Sequence, residues 1–232
     1  TYADMPLTLF ASKQLGGRPI KWVEARRENY QSTIHGRDHI TYLEIAGKKD
    51  GEVTGLRGKT LANLGGRLST IGPGIPTTLY ARVLSGCYKI PNVYAEVTGV
   101  YTNTTFVDAY RGAGRPEATY VIERAMDLFA AEIGMDRAEL RRRNFIPKDQ
   151  FPYENPSGLG TASGGAKIYI DSGNYEPAMD MALKTAGYAA LDAKKAEAKA
   201  RGKLLGMGFS TYIEVCGVAP SKWIGAVGEG WG

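Results

Sequence analysis

The sequence predicts an α+β fold, with mixed sheets packed by helices. Three observations carry this. Apolar residues recur at helical spacing in some stretches and alternate in others. Two of the alternating stretches are joined by a hairpin-type turn. No regular strand–helix succession of the kind that builds a doubly wound sheet runs through the chain. Of the 232 residues 43% are hydrophobic and 23% charged, which supplies a core and argues against disorder.

Met5, Leu7, Leu9, Phe10, Ala11 and Leu15 predict a first helix over residues 4–15, stopped by Gly16 and Gly17. Residues 19–24 then alternate like a short strand. Residues 40–46 and 53–62 are extended, and Lys49-Asp50-Gly51 between them predicts a hairpin. Residues 64–85, rich in Gly, Pro and Thr, read as a long irregular segment, and such segments tend to be functional. A further strand spans residues 93–101 and leads into a glycine-flanked turn. Pro116 suits the start of a helix whose apolar face is Val121, Ile122, Ala125, Met126, Phe129, Ala130 and Ile133. Gly134 ends that helix, and Asp136 caps the next one, through Phe145. Residues 167–170 predict a short strand and residues 175–200 a helix broken near Gly187. Residues 204–215 alternate as a last strand before a glycine-rich end.

Composition excludes several functions. No window approaches the roughly 18 consecutive apolar residues of a membrane span. The formal charge of +5 is spread along the chain, so no nucleic-acid partner is expected, and Arg141-Arg142-Arg143 reads as the wet face of a helix. Cys87 and Cys216 are too few for a disulfide framework or a four-ligand metal site. They read as buried thiols, which fits a reducing, cytoplasmic location. His35 and His39 are four apart in an extended pattern and predict no metal site. Glu123 and Arg124 read as helix surface, and Trp22 as core.

The chemistry concentrates in Ala109, Tyr110, Arg111, Gly112, Ala113 and Gly114. Small residues let backbone N–H groups approach a ligand, and the helix start beyond them favours negative charge. Arg111 and Arg115 bracket the turn and could grip phosphate or a polar substrate. The same pattern also describes an ordinary tight strand-to-helix turn with surface arginines, and these residues alone do not choose.

The run from Ala109 to Ala118 resembles the active-site loop of large subunits in the xanthine oxidase and aerobic carbon monoxide dehydrogenase family of molybdenum hydroxylases. Neighbouring islands resemble the same family in the same order: Gly17-Arg18-Pro19-Ile20-Lys21 with Arg27-Glu28, Tyr88-Lys89-Ile90-Pro91, Val100-Tyr101-Thr102-Asn103, Arg141 to Ile146 with Phe151-Pro152-Tyr153, and Asp171-Ser172-Gly173-Asn174-Tyr175. The resemblance implies a molybdopterin-type molybdenum cofactor, with the cytosine dinucleotide form as one option, bound at residues 109–114. It implies oxidation of a small-molecule substrate with water-derived oxygen. Electrons then pass to an iron–sulfur small subunit and an FAD medium subunit, in a dimer of heterotrimers. It divides the chain into part of a first molybdopterin-binding domain (residues 1–175), a helical connector (176–203) and the opening of a second such domain (204–232).

Departures from the family narrow the substrate. Copper-containing carbon monoxide dehydrogenases carry a copper-binding cysteine where this chain has Gly112, so carbon monoxide is not the expected substrate. Xanthine oxidases carry a phenylalanine where this chain has Ala113, which argues against xanthine. An aldehyde or an N-heteroaromatic compound is expected instead. Glu229 is glycine-flanked, like the family's catalytic glutamate, but that base is expected beyond Gly232. A glycine-rich cofactor segment is likewise expected before Thr1. The chain is therefore expected to be cut at both ends and inactive alone. A non-catalytic scaffold or assembly subunit of the same fold is the alternative.

Overall fold

The computed structural model describes residues 4–156 and 168–215. Helix α1 (Asp4–Gln14) forms where predicted and ends at Gly16 and Gly17, whose φ values of 68° and 84° lie in the left-handed region that glycine tolerates. None of its residues is buried. The strand expected at residues 19–24 does not form. No neighbouring strand offers a ladder among the described residues, and Trp22, expected in the core, is 58% exposed. The chain turns instead into helix α2 (Arg26–Ser32). Glu28 Oε2 accepts from the Ala25 amide at 2.7 Å, while Glu24 accepts from Asn29 and Ser32 at 2.8 Å each. Local side-chain capping thus prevails over the alternating pattern.

Strands β1 (His39–Gly47) and β2 (Val53–Gly65) form the predicted hairpin, paired antiparallel from His39 opposite Ala62 to Ile45 opposite Leu56. Gly51, at φ 95°, makes the turn. Strand β3 (Val93–Tyr101) adds to β2 in parallel, giving a mixed sheet of order β1-β2-β3. A parallel neighbour requires a crossover, and residues 66–92 supply it. That segment is not irregular throughout. A π-helix (Ile75–Leu79) runs directly into helix α3 (Tyr80–Arg82), with Ile75, Tyr80, Ala81 and Leu84 buried. The Gly-Pro-Gly run before it hides this helical stretch from composition.

Helix α4 (Arg115–Glu132) buries Ala118, Ile122, Ala125, Met126 and Ala130, much of the predicted face, and ends before Gly134 at φ 68°. Helix α5 (Arg137–Asn144) is capped by Asp136, which accepts from the Ala138 and Glu139 amides at 2.8 and 3.0 Å. The core gathers between sheet and helices, from Val53 and Leu56 through Tyr80, Leu84 and Tyr88 to Ile122, Met126 and Leu140. Buried Asn144 ties it to the hairpin, accepting from the Val53 amide at 2.9 Å and donating to Gly51 O at 2.8 Å.

Two charged residues read as helix surface are buried. Arg141 is 0% exposed and Glu123 only 5%. Arg141 Nε lies 2.9 Å from Glu123 Oε2, and its Nη2 lies 3.0 Å from Asp127 Oδ1. On α5 the arginine shares the inner side with Ala138, and the two acids on α4 neutralise it there. Arg142 and Arg143 stay at the surface, as expected.

Two-residue strands β4 (Tyr153–Glu154) and β5 (Tyr169–Ile170) pair antiparallel. The helices Tyr175–Ala186 and Leu191–Ala200 follow, separated at Gly187 in the left-handed conformation. Residues 207–215 alternate in exposure, but residues 204–215 form no ladder, so the last strand expected from the sequence is absent. Side chains hold the segment instead. Cys87 Sγ donates to Thr211 O at 3.3 Å, and Thr211 Oγ1 donates to Glu123 Oε1 at 2.7 Å. Cys216 and Glu229 lie outside the described residues.

Candidate functional site

The 109–114 loop leaves the sheet region under tight control. The stretch before it pairs in parallel with the residues preceding β1, through a bridge between His35 and Val107, with the Asp108 amide donating to His35 O at 3.0 Å. Asp108 itself accepts from the Ala109 amide at 2.7 Å and from Ser69 Oγ. Within the loop the Ala113 amide donates to Tyr110 O at 2.7 Å and the Arg115 amide to Gly112 O at 3.2 Å. This compact double turn leads straight into α4.

Its glycines are required by the chain's own geometry. Gly112 has φ 99°, and a Cβ there would lie 2.5 Å from the Pro116 ring. Gly114 has φ 90°, and a Cβ there would sit 2.6 Å from Tyr80 N and 2.8 Å from Ile75 O. The loop exit is therefore pressed against the π-helix, which makes that segment the loop's floor. Ala113 carries a side chain at φ 37°, a conformation rare outside glycine.

The backbone donors that remain are informative. Among the described residues, the amides of Arg111, Gly112 and Gly114 have no hydrogen-bond acceptor, and they lie at the N-terminal end of an 18-residue helix. Arg111 extends an exposed guanidinium with no ion pair among the described residues. Arg115, the other arginine that could grip a ligand, is engaged within the chain. Its Nε meets Glu214 Oε1 at 2.6 Å, and its Nη2 donates to Val215 O at 2.9 Å. It fastens residues 214–215 to the start of α4.

Between that segment and α4 lies a groove of about 580 Å³, with Arg111 and Gly112 at the loop, Tyr120 and Arg124 on the helix, and Tyr212 and Ile213 opposite. The loop is thus one wall of a sizeable concavity whose lining carries Arg111, Arg115 and Arg124 alongside Glu123, Asp127 and Glu214. Beneath the groove Tyr88 donates to Glu123, which also receives Thr211 and Arg141. Burial pushes the Tyr88 hydroxyl well above its ordinary pKa, so it remains a donor. Burial likewise pushes the Cys87 thiol up to about 12, making it an inert core residue rather than a nucleophile.

The two histidines serve different contacts. His35 Nε2 lies 3.0 Å from Tyr30 O, while the His39 ring packs edge-on against Tyr80. Burial lowers the His39 pKa, opposed by the charges of Glu117 and Asp38. Sequence reasoning missed Glu123, Arg141 and Glu214. Helical spacing marked Glu123 only as one turn from apolar positions, and nothing local announces Glu214.

Known proteins resemble the chain over most of its length. The family model for the molybdopterin cofactor-binding domain matches residues 1–145. The carbon monoxide dehydrogenase large chain of Hydrogenophaga pseudoflava is 39% identical over 220 residues, covering 92% of this chain and 26% of that protein. Subunit gamma of the 6-hydroxypseudooxynicotine dehydrogenase complex of Paenarthrobacter nicotinovorans is 32% identical, over 94% of this chain and 27% of its own length. The quinoline 2-oxidoreductase structure from Pseudomonas putida 86 superimposes with a TM-score of 0.70 at 26% identity, covering 84% of this chain and 24% of that one. The chain thus spans about a quarter of the length of these relatives. With the family model covering the sheet, the loop and helix α4, the chain belongs to the molybdopterin cofactor-binding domains of molybdenum hydroxylase large subunits.

Proposed function

We propose that the chain forms part of the catalytic subunit of a molybdenum hydroxylase that oxidises an aldehyde or an N-heteroaromatic compound with water-derived oxygen. Residues 1–175 are read as part of the first molybdopterin-binding domain, 176–203 as a connector, and 204–232 as the opening of the second. The observation that carries the reading is the donor set at residues 109–114. Arg111 and Gly112, whose amides have no acceptor among the described residues, line one groove beside the start of α4, and the exposed Arg111 guanidinium has no ion pair among those residues. Such a set suits an anionic, oxygen-rich group, and the molybdopterin-type cofactor is one.

When bound, that cofactor supplies a two-electron oxidation centre. The chain's residues hold and orient. The amides of Arg111 and Gly112 would donate to an anionic group bound there, and the Arg111 guanidinium would offset its charge. Ala109 and Tyr110 set the loop's approach, and Ala113 leaves room that a larger side chain would fill. The glutamate base is assigned to sequence beyond this chain. Electrons are assigned onward to iron–sulfur and FAD subunits, in a cytoplasmic dimer of heterotrimers, and the cytosine dinucleotide is one form the cofactor takes. Among the described residues no helix is long and apolar enough to cross a membrane.

The substrate class follows from Gly112 and Ala113. At φ 99° and against the Pro116 ring, position 112 has no space for the thiol that copper requires. Relatives named as a nicotine 6-hydroxylase and a quinoline 2-oxidoreductase support the heteroaromatic branch. The test is dye-linked oxidation by the complete product of this reading frame, co-expressed with its neighbouring genes. Aldehydes or N-heteroaromatics should reduce the dye, and carbon monoxide should not. Turnover of carbon monoxide as the preferred substrate would overturn the assignment.

A further inference from the structure

Two described non-glycine residues have positive φ, Arg37 at 66° and Ala113 at 37°. Arg37 reaches the residue next to Ala113. Ala113 follows Gly112, and a Cβ on Gly112 would lie 3.7 Å from Arg37 Nη2. Left-handed backbone is unfavourable at a residue bearing a side chain, and it persists where surrounding contacts impose it. The contacts around Arg37 are unusually directed.

Its guanidinium lies over the Tyr110 ring, 4.7 Å from the centroid, and Nη2 donates to Arg111 O. Its Nε is 4.0 Å from Glu117 Oε1, in the first turn of α4. One side chain therefore reaches the loop's beginning and the helix just beyond its end. The Glu117 carboxylate is 7% exposed, and its other oxygen has no hydrogen-bond partner among the described residues. Arg37 thus also answers a buried charge beneath the loop.

The base of the clamp is itself anchored. Asp38 accepts from Asn63 Nδ2 at 2.7 Å, and its carbonyl accepts from the Asn63 amide at 3.0 Å, fixing Arg37 to the central strand. On the other side Gly36 packs so closely that a Cβ would stand 2.9 Å from Tyr110 Cβ. Gly36 has no positive φ, so close approach alone accounts for glycine there.

We propose that Arg37 is a positioning residue for the 109–114 loop: by gripping Tyr110, Arg111 O and Glu117 together, it sets the direction in which the loop amides are presented to the cofactor. The assignment rests on reading that loop as the cofactor-binding element. An arginine is needed because a planar guanidinium stacks on a ring with its face while donating along its edge. A lysine ammonium at the same place is a point charge and cannot do both.

The experiment is hydrogen–deuterium exchange on the complete product of the reading frame, as wild type, Arg37→Ala and Arg37→Lys. The monitored loop amides are those of Ala113 and Arg115. For Arg37→Ala these amides should exchange about tenfold faster, the loss expected for one stacked, charge-assisted contact. Amides of the β1–β2 ladder should be unchanged. Arg37→Lys should fall between the two. In the cofactor-loaded protein, the molybdenum(V) electron paramagnetic resonance signal of Arg37→Ala should broaden or shift, with lysine restoring it only in part. Unchanged loop exchange would overturn the proposal. So would equal acceleration of the ladder, which would make Arg37 a general structural residue, or full restoration by lysine. A wild-type protein without molybdenum would instead overturn the cofactor reading, while the exchange data would still decide whether Arg37 holds the loop.

Discussion

Arg141→Met should destabilise the domain by about 3–5 kcal/mol, the range for breaking a buried ion pair by removing one partner. Arg141 is 0% exposed and lies between Glu123 and Asp127, at 2.9 and 3.0 Å, so its loss leaves the 5% exposed Glu123 without its cation and Asp127 with Arg137 at 3.5 Å. Methionine fills the space of the aliphatic stem but answers neither charge. Glu123 has further obligations, since Tyr88 and Thr211 both donate to it. Thr211 belongs to the extended segment that carries Glu214, and Glu214 holds Arg115 at the start of α4. Loss of Arg141 should therefore loosen the groove wall as well as the core. The double variant Glu123→Met/Arg141→Met should recover part of the loss, because replacing both partners costs less than stranding one. Urea unfolding of the three proteins measures this. Equal stability of wild type and Arg141→Met would show that the pair carries no net weight.

Gly114→Ala should be the most damaging change within the loop. Positive φ at a residue with a Cβ costs about 1–2 kcal/mol by itself. Here the new methyl also meets Tyr80 N at 2.6 Å and Ile75 O at 2.8 Å, both backbone atoms that cannot swing aside. The combined effect is about 2–4 kcal/mol, from strain and overpacking together. Loop and π-helix must separate, so bound molybdenum should fall by more than the folded fraction does. Gly134→Ala supplies the control. That residue has φ 68° with nothing within 4 Å of the added methyl, so only the conformational cost of about 1 kcal/mol applies. Thermal melts and metal content of both variants separate local strain from a displaced loop. A Gly114→Ala protein with wild-type stability and molybdenum would mean that the loop does not depend on this close approach.

What could be read from the sequence divides along physical lines. The hairpin, helix α4 with its apolar face, the Asp136 cap and the break at Gly187 were all legible, because periodicity and capping residues act within a few positions. The strands expected at residues 19–24 and 204–215 have the right alternation, but a strand also needs a partner. Whether a ladder is available is a long-range fact that alternation does not carry. Trp22 is apolar and 58% exposed for the same reason, since no ladder holds its segment against the sheet among the described residues. Arg141 fails differently. Burial of an arginine depends on two acids from another helix, and spacing along α5 cannot show them.

The loop itself was legible as a place and only partly as a device. Its glycines were read as room for a ligand, but Gly112 and Gly114 are demanded by Pro116 and by the backbone of residues 75–80. What lines the groove is Arg111 and Gly112, whose amides have no acceptor among the described residues. Arg115, the apparent twin of Arg111, is spent on Glu214 and Val215.

The central claim is that residues 109–114 bind a molybdopterin-type cofactor. The most direct measurement is the molybdenum and pterin content of the complete reading-frame product, purified from a host that makes the cofactor, beside the same protein carrying Gly114→Ala. The account predicts about one molybdenum and one pterin per wild-type chain and a marked loss of both in the variant, in keeping with a cofactor held by the protein rather than made by it. A folded wild-type protein that carries neither, or a variant that keeps both in full, would contradict it.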